Sequence, residues 1–384
     1  MINFSTLQTN AGFAAEKAGI RPGLLLGPCY RVVRVKSSSC KLGRLLSGDN
    51  ELAFKISYDF GGVGAWFGSK YSLDLAGAVE KAGFDVLWMG DHFMPWFHDH
   101  AHTQQAWVWL AAAAQATKRI PVGPAVTIPM FKYHPLNIAH AFVTIENTFP
   151  RRVILGVGTG EAMNEAIFVP AWPPWKVRGE MLCEAIELIK KYWSSPDYFD
   201  FDGKYWKMKG IYAYDKPTKT IPIYFSAFGP KSAALAGKYG DHLMTYGSPE
   251  YVKKSVLPYF EEAARNAGKD PTKIDKSVYL DGGYGNLKKL VSKYRVTSAG
   301  SLLPENFNER DPRKIQASAV RVSDDLIREK ACLFSSPRQF VELIEDFREA
   351  GLTHFIFGDW GYNPAMTIRM FGSKVIPHFR RKRK

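Results

Sequence analysis

Short apolar runs alternate with amphipathic helical patterns from residue 52 to the end of the chain. Apolar runs bounded by Gly, Pro or polar residues predict buried strands, whereas apolar residues recurring every three or four positions predict helices. The predicted strands cover residues 52–59, 85–90, 120–129, 152–157, 221–227, 241–246, 277–280 and 353–358. The predicted helices cover residues 72–83, with Ser72 as N-cap, 104–118, 137–148, 175–193, 231–239, 249–267, 336–351 and 364–376.

Eight strands, nearly all followed by a helix, predict an α/β fold with a parallel sheet. Chain length and strand count favour a closed (β/α)8 TIM barrel over an open doubly wound sheet. Two insertions are expected. Residues 197–208, after strand 4, have the pattern of a β-hairpin that turns at Asp202-Gly203. Residues 284–335, after strand 7, have weak periodicity and would cover the face of the barrel at which the strands end.

The same pattern divides the chain into three parts. Residues 51–379 form the barrel domain, residues 1–50 form an N-terminal extension of uncertain order, and residues 380–384 form a basic tail. The net charge of +14 suggests an anionic partner, but the extension carries a surplus of five and the tail five more, which leaves four for the barrel. Because the barrel is nearly neutral, we expect no nucleic-acid partner.

Two further features bound the class of protein. The sequence contains no run of 18 apolar residues, so we expect no membrane span. The four cysteines form no C-x-x-C motif and have no regular spacing, which favours reduced thiols and a cytoplasmic protein. Three histidines, His98, His100 and His102, have a spacing that could hold a metal, but they lie in a loop without a pattern of partner carboxylates, and we predict no metal site.

Polar and Gly residues gather where the predicted strands end, which is where a barrel carries its chemistry. Asp91 and His92 follow strand 2, and an unpaired buried acid or base there costs several kcal/mol unless it is used. The glycine-rich stretch 156–165 follows strand 4. It is a poor dinucleotide fingerprint because Glu161 stands where the third Gly is required. Glu161 is either a proton donor or acceptor in the pocket or a cap of the following helix.

Four motifs together resemble the bacterial-luciferase-like superfamily, and within it the group of F420-dependent glucose-6-phosphate dehydrogenases. The motifs are Asp-His-Phe-Met-Pro-Trp at 91–96, Phe-Lys-Tyr-His-Pro at 131–135, Gly-Val-Gly-Thr-Gly-Glu-Ala-Met-Asn-Glu at 156–165 and Ala-Phe-Gly-Pro at 227–230. The resemblance implies a TIM barrel that binds the deazaflavin coenzyme F420, forms homodimers, and transfers a hydride between the cofactor and a CH–OH group of a sugar or secondary alcohol.

The resemblance also implies roles for single residues. His92 would be the active-site base, Trp96 would stabilise the reacting intermediate, and Glu161 would be the acid near the deazaflavin. The bond between Ala125 and Val126 would be a non-proline cis peptide. The implied cofactor contacts are Asp91, Ala125, Val126, Ile128, Glu161, Asn164, Ala227, Phe228, Gly229 and Pro230, and the implied substrate contacts are Trp96, Thr245, Ser248 and Lys330. From the residues alone, Asp91 is expected to fix the tautomer and orientation of His92.

The sequence departs from the sugar-phosphate enzymes where they hold phosphate with two Lys and one Arg. Ser248 replaces the first Lys, the second falls near Phe307, and Lys330 replaces the Arg. An anion stripped of water needs paired positive charge, so we predict that glucose 6-phosphate is not the best substrate and that a less polar alcohol or another sugar is preferred. Two alternatives stay open, an FMN-dependent luciferase-like monooxygenase and a non-catalytic flavin-binding barrel.

Overall fold

The computed structural model describes residues 53–380, in which eight parallel strands form a barrel. The barrel strands are β1 Lys55–Asp59, β2 Leu87–Met89, β3 Val122–Pro124, β4 Leu155–Val157, β7 Ile223–Ser226, β8 His242–Thr245, β9 Lys276–Tyr284 and β11 His354–Asp359. The remaining strands are β5 Phe199–Asp202 and β6 Lys207–Ile211, which pair as an antiparallel hairpin, and β10 Cys332–Phe334, which pairs with β9.

The barrel closes between β3 and β4. The continuous ladder runs in the order β3-β2-β1-β11-β9-β8-β7-β4. Its two ends are joined by bridges from Val122 to Val153 and from Thr127 to Val157. The amide of Thr127 donates to the carbonyl of Gly156 at 2.9 Å, and the amide of Gly158 donates back to Thr127. The predicted (β/α)8 TIM barrel with insertions after its fourth and seventh strands is therefore confirmed.

Helices cover the outside of this barrel and part of its mouth. They are α1 Gly61–Ala82, α2 Ala106–Ala116, α3 Pro135–Thr148, α4 Ala162–Glu165, α5 Trp175–Ser194, α6 Pro230–Tyr239, α7 Pro249–Ser255, α8 Leu257–Asn266, α9 Leu287–Leu302, α10 Pro312–Ser318, α11 Asp324–Lys330, α12 Pro337–Glu349, α13 Pro364–Met370 and α14 Ile376–Arg380, with a π-helical turn, Phe371–Val375, between the last two.

Side chains fill the barrel in layers because alternate strand residues point inward. The inner cluster consists of Val86, Trp88, Ile154, Tyr224, Met244 and Ile356. Below it, His354 bonds to Ser57 and to Asp275, so the polar atoms enclosed at the bottom are paired. Because side chains fill the interior, a ligand has no space there, and the chemistry is expected at the mouth, where the strands end.

Helix α1 differs from its prediction. It begins at Gly61 instead of residue 72, and Ser72 lies inside it, where its hydroxyl donates to the carbonyls of Gly68 and Ser69 and caps nothing. Gly68 interrupts the helix with φ +78. Four glycines in the first half hide the helical pattern. Gly62 is required there because a Cβ would lie 2.5 Å from the carbonyl oxygen of Asp359, so tertiary packing overrides propensity.

The stretch that was predicted to be irregular is largely helical. Helices α9, α10 and α11 occupy it, and β9 extends to Tyr284, four residues beyond the predicted end. Their apolar residues form a small core of their own, which includes Val291, Tyr294, Ile315 and Ile327. Because this core is divided among three short elements, no single amphipathic pattern is long enough to stand out in the sequence.

Four further sequence predictions concern the two ends of the chain, membrane spans and the hairpin. The N-terminal extension, residues 1–50, and all of the basic tail except Arg380 lie outside residues 53–380. Within those residues, no helix combines the length and the hydrophobicity that a bilayer crossing requires. The predicted hairpin is confirmed as β5–β6, and the carboxylate of Glu184 on α5 holds its turn by accepting from the amides of Lys204, Tyr205 and Trp206.

Candidate active site

Residues from two different strand ends meet at the mouth of the barrel. His92 lies in the loop after β2, and Glu161 lies in the loop between β4 and α4. The buried side chain of Asn164, on α4, links them: its amide nitrogen is 3.0 Å from Nδ1 of His92 and 3.4 Å from a carboxylate oxygen of Glu161. Glu161 makes no capping bond with its side chain. Glu161 thus occupies the N-cap position of α4 without capping it through its side chain, and its carboxylate meets the same amide as His92.

Asp91 does not hold His92 as expected. Its carboxylate is buried and faces the opposite way, accepting from the hydroxyls of Thr127 and Tyr133 and lying 3.4 Å from the ammonium of Lys132. Within residues 53–380 no hydrogen bond joins Asp91 to the ring of His92. The prediction that Asp91 fixes the imidazole is wrong because the side chain follows β2 on the side that faces β3, where hydroxyl donors are available.

The environment keeps His92 neutral. Desolvation in the crowded mouth, followed by the positive charge of Lys132, lowers the pKa of His92 to about 4. A histidine with this pKa is uncharged throughout the physiological range. It can exchange hydrogen bonds with a substrate, but it is a weak proton acceptor.

Glu161 is shifted in the opposite direction. Glu161 is exposed to solvent, although many protein atoms surround its carboxyl group. Desolvation is the largest cause that raises the pKa of Glu161 to about 7, and the charges of Glu165 and Asp281 raise it further against the bond from Asn164. A carboxyl group with this pKa can both take up and release a proton near neutrality.

Apolar residues form a strip at the end of β3, beside the glycine-rich loop. The peptide bond between Ala125 and Val126 is cis, as the resemblance implied, and Ile128 continues the strip. The glycine-rich loop packs directly on it: a Cβ on Gly156 would lie 2.1 Å from the carbonyl oxygen of Pro124, and one on Gly158 would lie 2.8 Å from Val126. The glycines thus permit close approach of β4 to the end of β3 and leave the strip uncovered by side chains.

The remaining implied cofactor residues lie at the end of β7. Ala227 is buried, and its amide donates to the carbonyl of Met244. Phe228 is 43% exposed, and its carbonyl accepts from the hydroxyl of Tyr251. Gly229 and Pro230 open α6, where the amide of Gly229 donates to Ser232. These residues face the same mouth as His92 because all follow the carboxyl ends of parallel strands.

The insertion closes one side of this mouth. Trp96 packs among the apolar residues of α9–α11, and its ring centroid is 6.0 Å from that of His92. A Cβ on Gly300 would lie 2.3 Å from the Trp96 ring, so α9 fits tightly over it. The amides of His98 and Asp99 donate to the side-chain oxygen of Gln316. The expectation that the insertion covers the catalytic face is confirmed by these contacts.

The implied substrate residues Thr245, Ser248 and Lys330 have different surroundings. Thr245 is fully buried, and its hydroxyl has no hydrogen-bond partner within residues 53–380. Ser248 uses its hydroxyl to cap α7 by accepting from the amide of Tyr251. Lys330, at the end of α11, pairs with Glu329 at 3.1 Å.

Sequence reasoning missed a group of carboxylates at the ends of β1 and β9. Asp59 ends β1 and Asp281 lies near the end of β9, and the hydroxyl of Tyr279 lies 3.2 Å from one and 2.9 Å from the other. Desolvation raises the pKa of Asp59 to about 7 and that of Asp281 to about 6. The strand-end rule would have found both, because Asp59 ends the predicted strand 52–59 and Asp281 directly follows the predicted strand 277–280.

Two cations were also missed. The ammonium of Lys132 is nearly inaccessible and lies between Asp91 and Glu165, at 3.4 and 3.9 Å. Lys293, on α9, lies over the rings of Trp66 and Phe67 and donates to the carbonyl of Gly361. Burial lowers the pKa of Lys293 to about 8. Within residues 53–380 no group of three or more His, Cys, Asp or Glu side chains has the geometry of a metal site.

The sequence model of one protein family matches most of this barrel. It is described as luciferase-like monooxygenase and covers residues 60–354. The chain belongs to the luciferase-like monooxygenase family. The resemblance that the motifs predicted is thereby confirmed.

Several relatives in this family match nearly the whole barrel. An F420-dependent glucose-6-phosphate dehydrogenase of Nocardia farcinica (strain IFM 10152) is 35% identical over 339 residues, which cover 87% of this chain and 99% of the relative. A solved structure of an F420-dependent secondary alcohol dehydrogenase, in complex with an F420-acetone adduct, is 37% identical with a TM-score of 0.80, covering 86% of this chain and 100% of that one. A tetrahydromethanopterin reductase from Methanopyrus kandleri, 22% identical with a TM-score of 0.69 over 86% of this chain and 100% of that one, supports the fold.

Proposed function

We propose that this chain is an F420-dependent oxidoreductase that transfers a hydride between the deazaflavin and a CH–OH group of an uncharged secondary alcohol or sugar. Relatives of that cofactor class are 35% and 37% identical, and the chain spans 99% and 100% of their lengths. The observation that carries the proposal is that the side-chain amide of Asn164 contacts both His92 and Glu161, which brings an imidazole and a carboxylate together at the mouth. Oxidation of an alcohol releases a proton as well as a hydride, so the site needs a proton-handling group beside the cofactor.

The residues present fit a flat ring. Ala125, Val126 and Ile128 form an apolar strip, and the adjoining glycines at 156 and 158 place no side chain over it. Asp91 and residues 227–230 complete the proposed cofactor side of the mouth. F420 bound there would supply the hydride acceptor, while the protein supplies position and charge. FMN, which also carries a flat ring, is the alternative cofactor.

Two side chains divide the proton chemistry. The resemblance made His92 the base and Glu161 the acid, but the pKa values favour the reverse for alcohol oxidation. Glu161, with a pKa of about 7, is the stronger base, and His92, with a pKa of about 4, stays neutral and can orient the substrate oxygen by a hydrogen bond. In the direction of carbonyl reduction, protonated Glu161 returns the proton. Trp96, held by the insertion, forms the neighbouring wall.

The charges around the mouth support a neutral substrate. Ser248 caps a helix and Lys330 is paired with Glu329, so two of the positions implied for phosphate binding offer no free cation. Carboxyl groups of Glu161, Asp59 and Asp281 lie around the mouth instead. Lys132 lies between Asp91 and Glu165, and Lys293 packs on aromatic rings. A phosphate would therefore have to lose its water opposite these acids with little positive charge left to pair with it. Thr245 remains a proposed contact on the substrate side.

The test is the absorbance of F420 mixed with the protein and a series of substrates. We expect secondary alcohols or unphosphorylated sugars to bleach the deazaflavin band with kcat/KM at least about tenfold above that for glucose 6-phosphate, since each tenfold difference needs only about 1.4 kcal/mol of differential binding. A clear preference for glucose 6-phosphate contradicts the substrate class. Oxygen consumption with reduced FMN and no reaction with F420 would instead identify a monooxygenase.

The proposal also includes an oligomeric state and a cellular location. The resemblance implies a homodimer, and light scattering of the purified protein at several concentrations tests it. A cytoplasmic location is supported by Cys183, which is a buried free thiol. The test compares cells that contain the unchanged chain with cells in which an added signal peptide directs the chain to the exterior. Reduction of the cellular F420 pool by the first and not by the second is expected for a cytoplasmic protein.

A further inference from the structure

The side-chain amide of Asn164 is used completely inside the protein. Its oxygen accepts from the backbone amides of Phe93, at 2.9 Å, and Met94, at 3.0 Å. These two N–H groups show which atom is the oxygen. If the amide were rotated by 180°, its NH2 group would face both backbone N–H donors and could accept from neither. The nitrogen therefore faces His92 and Glu161 and donates to both. Four hydrogen bonds leave the amide no donor for another molecule.

This orientation determines what His92 can do. Nδ1 of His92 lies 3.0 Å from the Asn164 amide nitrogen and 3.3 Å from the carbonyl oxygen of Met94. A proton on Nδ1 would suit Met94 but would oppose the N–H of Asn164 at the shorter distance. Nδ1 must therefore accept, and a neutral imidazole then carries its one proton on Nε2.

We propose that Asn164 is a positioning residue that fixes His92 as the Nε2–H tautomer, so that His92 offers a hydrogen bond to the substrate oxygen and Glu161 alone exchanges the proton. The role that the resemblance implied for Asn164, contact with the cofactor, would require its amide to give up a bond to the protein. The proposal rests on the proposed function for the identity of the reaction. The tautomer itself is a property of the protein without substrate.

The first test reads the tautomer directly. Protein labelled with nitrogen-15 in histidine is measured by NMR near pH 7 without cofactor, and the His92 signals are assigned by their loss in His92→Ala. We expect the proton on Nε2 and an unprotonated Nδ1. A proton on Nδ1, or exchange between the two forms, overturns the proposal. This result does not depend on any activity, so it stays separate from a failure of the proposed function.

Asn164→Asp provides the matched change. The new carboxylate has the same shape and still accepts from the amides of Phe93 and Met94, but toward His92 it can only accept. We expect the His92 proton to move to Nδ1 and the pKa of His92 to rise. Asn363→Asp, at the N-cap of α13, makes the same chemical change where Asp caps as well as Asn. It should leave the His92 signals unchanged. An unchanged tautomer in Asn164→Asp contradicts the proposal.

Kinetics separate positioning from a merely structural role. With F420 and a secondary alcohol, Asn164→Asp should lower kcat about 100-fold, the upper range for losing a group that orients a histidine, while KM for the alcohol changes little. Asn164→Ser, which leaves Nδ1 free to adopt either state, should recover part of this loss. Equal activity of Asn164→Asp and wild type, with folding verified by circular dichroism, would show that the tautomer has no part in the reaction.

Discussion

Two walls of the barrel mouth are built in different ways. The motif wall consists of the segments after β2, β3 and β4, residues 91–96, 125–128 and 156–165. The insertion wall consists of Asp59, Tyr279, Asp281 and helices α9–α11. On the motif wall each functional side chain follows its strand within a few residues, so the chemistry is visible as short motifs. The insertion wall combines residues far apart in sequence with helices whose shared core no single pattern reveals.

The two walls also differ in charge. The motif wall balances Asp91 and Glu165 with buried Lys132, and a single amide joins its neutral histidine to a titrating glutamate. The insertion wall holds Asp59 and Asp281 around one tyrosine hydroxyl, and its cation, Lys293, is turned onto aromatic rings. On the motif wall, desolvation therefore brings the pKa of a proton-exchanging group close to neutrality. On the insertion wall, it makes the ionised carboxylates unfavourable, so that the stability of the fold depends on pH.

The largest expected effect falls on the motif wall. Glu161→Gln removes the group that exchanges the proton but keeps the bond from Asn164, and should lower kcat for alcohol oxidation about 100- to 10,000-fold, the usual range for a general base. Steady-state bleaching of F420 measures it. Glu250→Gln, a matched change on exposed α7, should keep wild-type activity. If Glu161→Gln kept more than a tenth of the wild-type kcat, another group would have to exchange the proton.

A substitution on the insertion wall should change the free energy of unfolding in a way that depends on pH. The folded pKa of Asp59, about 7, lies above its unfolded value near 3.8, so its stabilising contribution is complete below about pH 4 and disappears as the pH rises through 7. Asp59→Asn removes this dependence. Above pH 7 the variant should gain on the order of 2–4 kcal/mol relative to wild type, since one pKa unit is worth about 1.4 kcal/mol.

Urea unfolding at pH 5 and pH 8 measures this difference between the walls. Asp74→Asn, at an exposed carboxylate, is the control and should shift both values by less than about 0.5 kcal/mol. The prediction fails if Asp59→Asn destabilises the protein equally at both pH values, because that would mean that the carboxylate is stabilised by its neighbours.

A smaller effect is expected where the walls touch. In Gly300→Ala the new Cβ would lie 2.3 Å from the Trp96 ring, so α9 or the ring must move, at a cost of about 1–3 kcal/mol. We expect a lower melting temperature and a lower kcat from displaced Trp96. Gly77→Ala, inside α1 with no atom within 4 Å, should instead gain about 0.5–1 kcal/mol. Equal melting temperatures for the two variants would show that the contact is not tight.

The sequence was most informative where structure is local. The alternation of strands and helices, the hairpin and the gathering of polar residues at strand ends follow from local sequence patterns, and the motifs led to the family and to the cis bond at Ala125–Val126. Side-chain direction could not be predicted: Asp91 precedes His92 in the chain but bonds to Thr127 and Tyr133, while Asn164, 72 residues away, holds the ring. Tertiary packing also determined the glycine-rich start of α1 and the helices of the insertion.

The most direct test of the division between His92 and Glu161 is the pH dependence of kcat/KM in both directions of the reaction with F420. Because Glu161 must be ionised to accept a proton and protonated to return it, alcohol oxidation should rise, and carbonyl reduction should fall, through the same pKa of about 7. Both transitions should vanish in Glu161→Gln. An oxidation rate that is already constant from pH 5 to pH 9, with its only transition near the pKa of about 4 assigned to His92, would contradict this division.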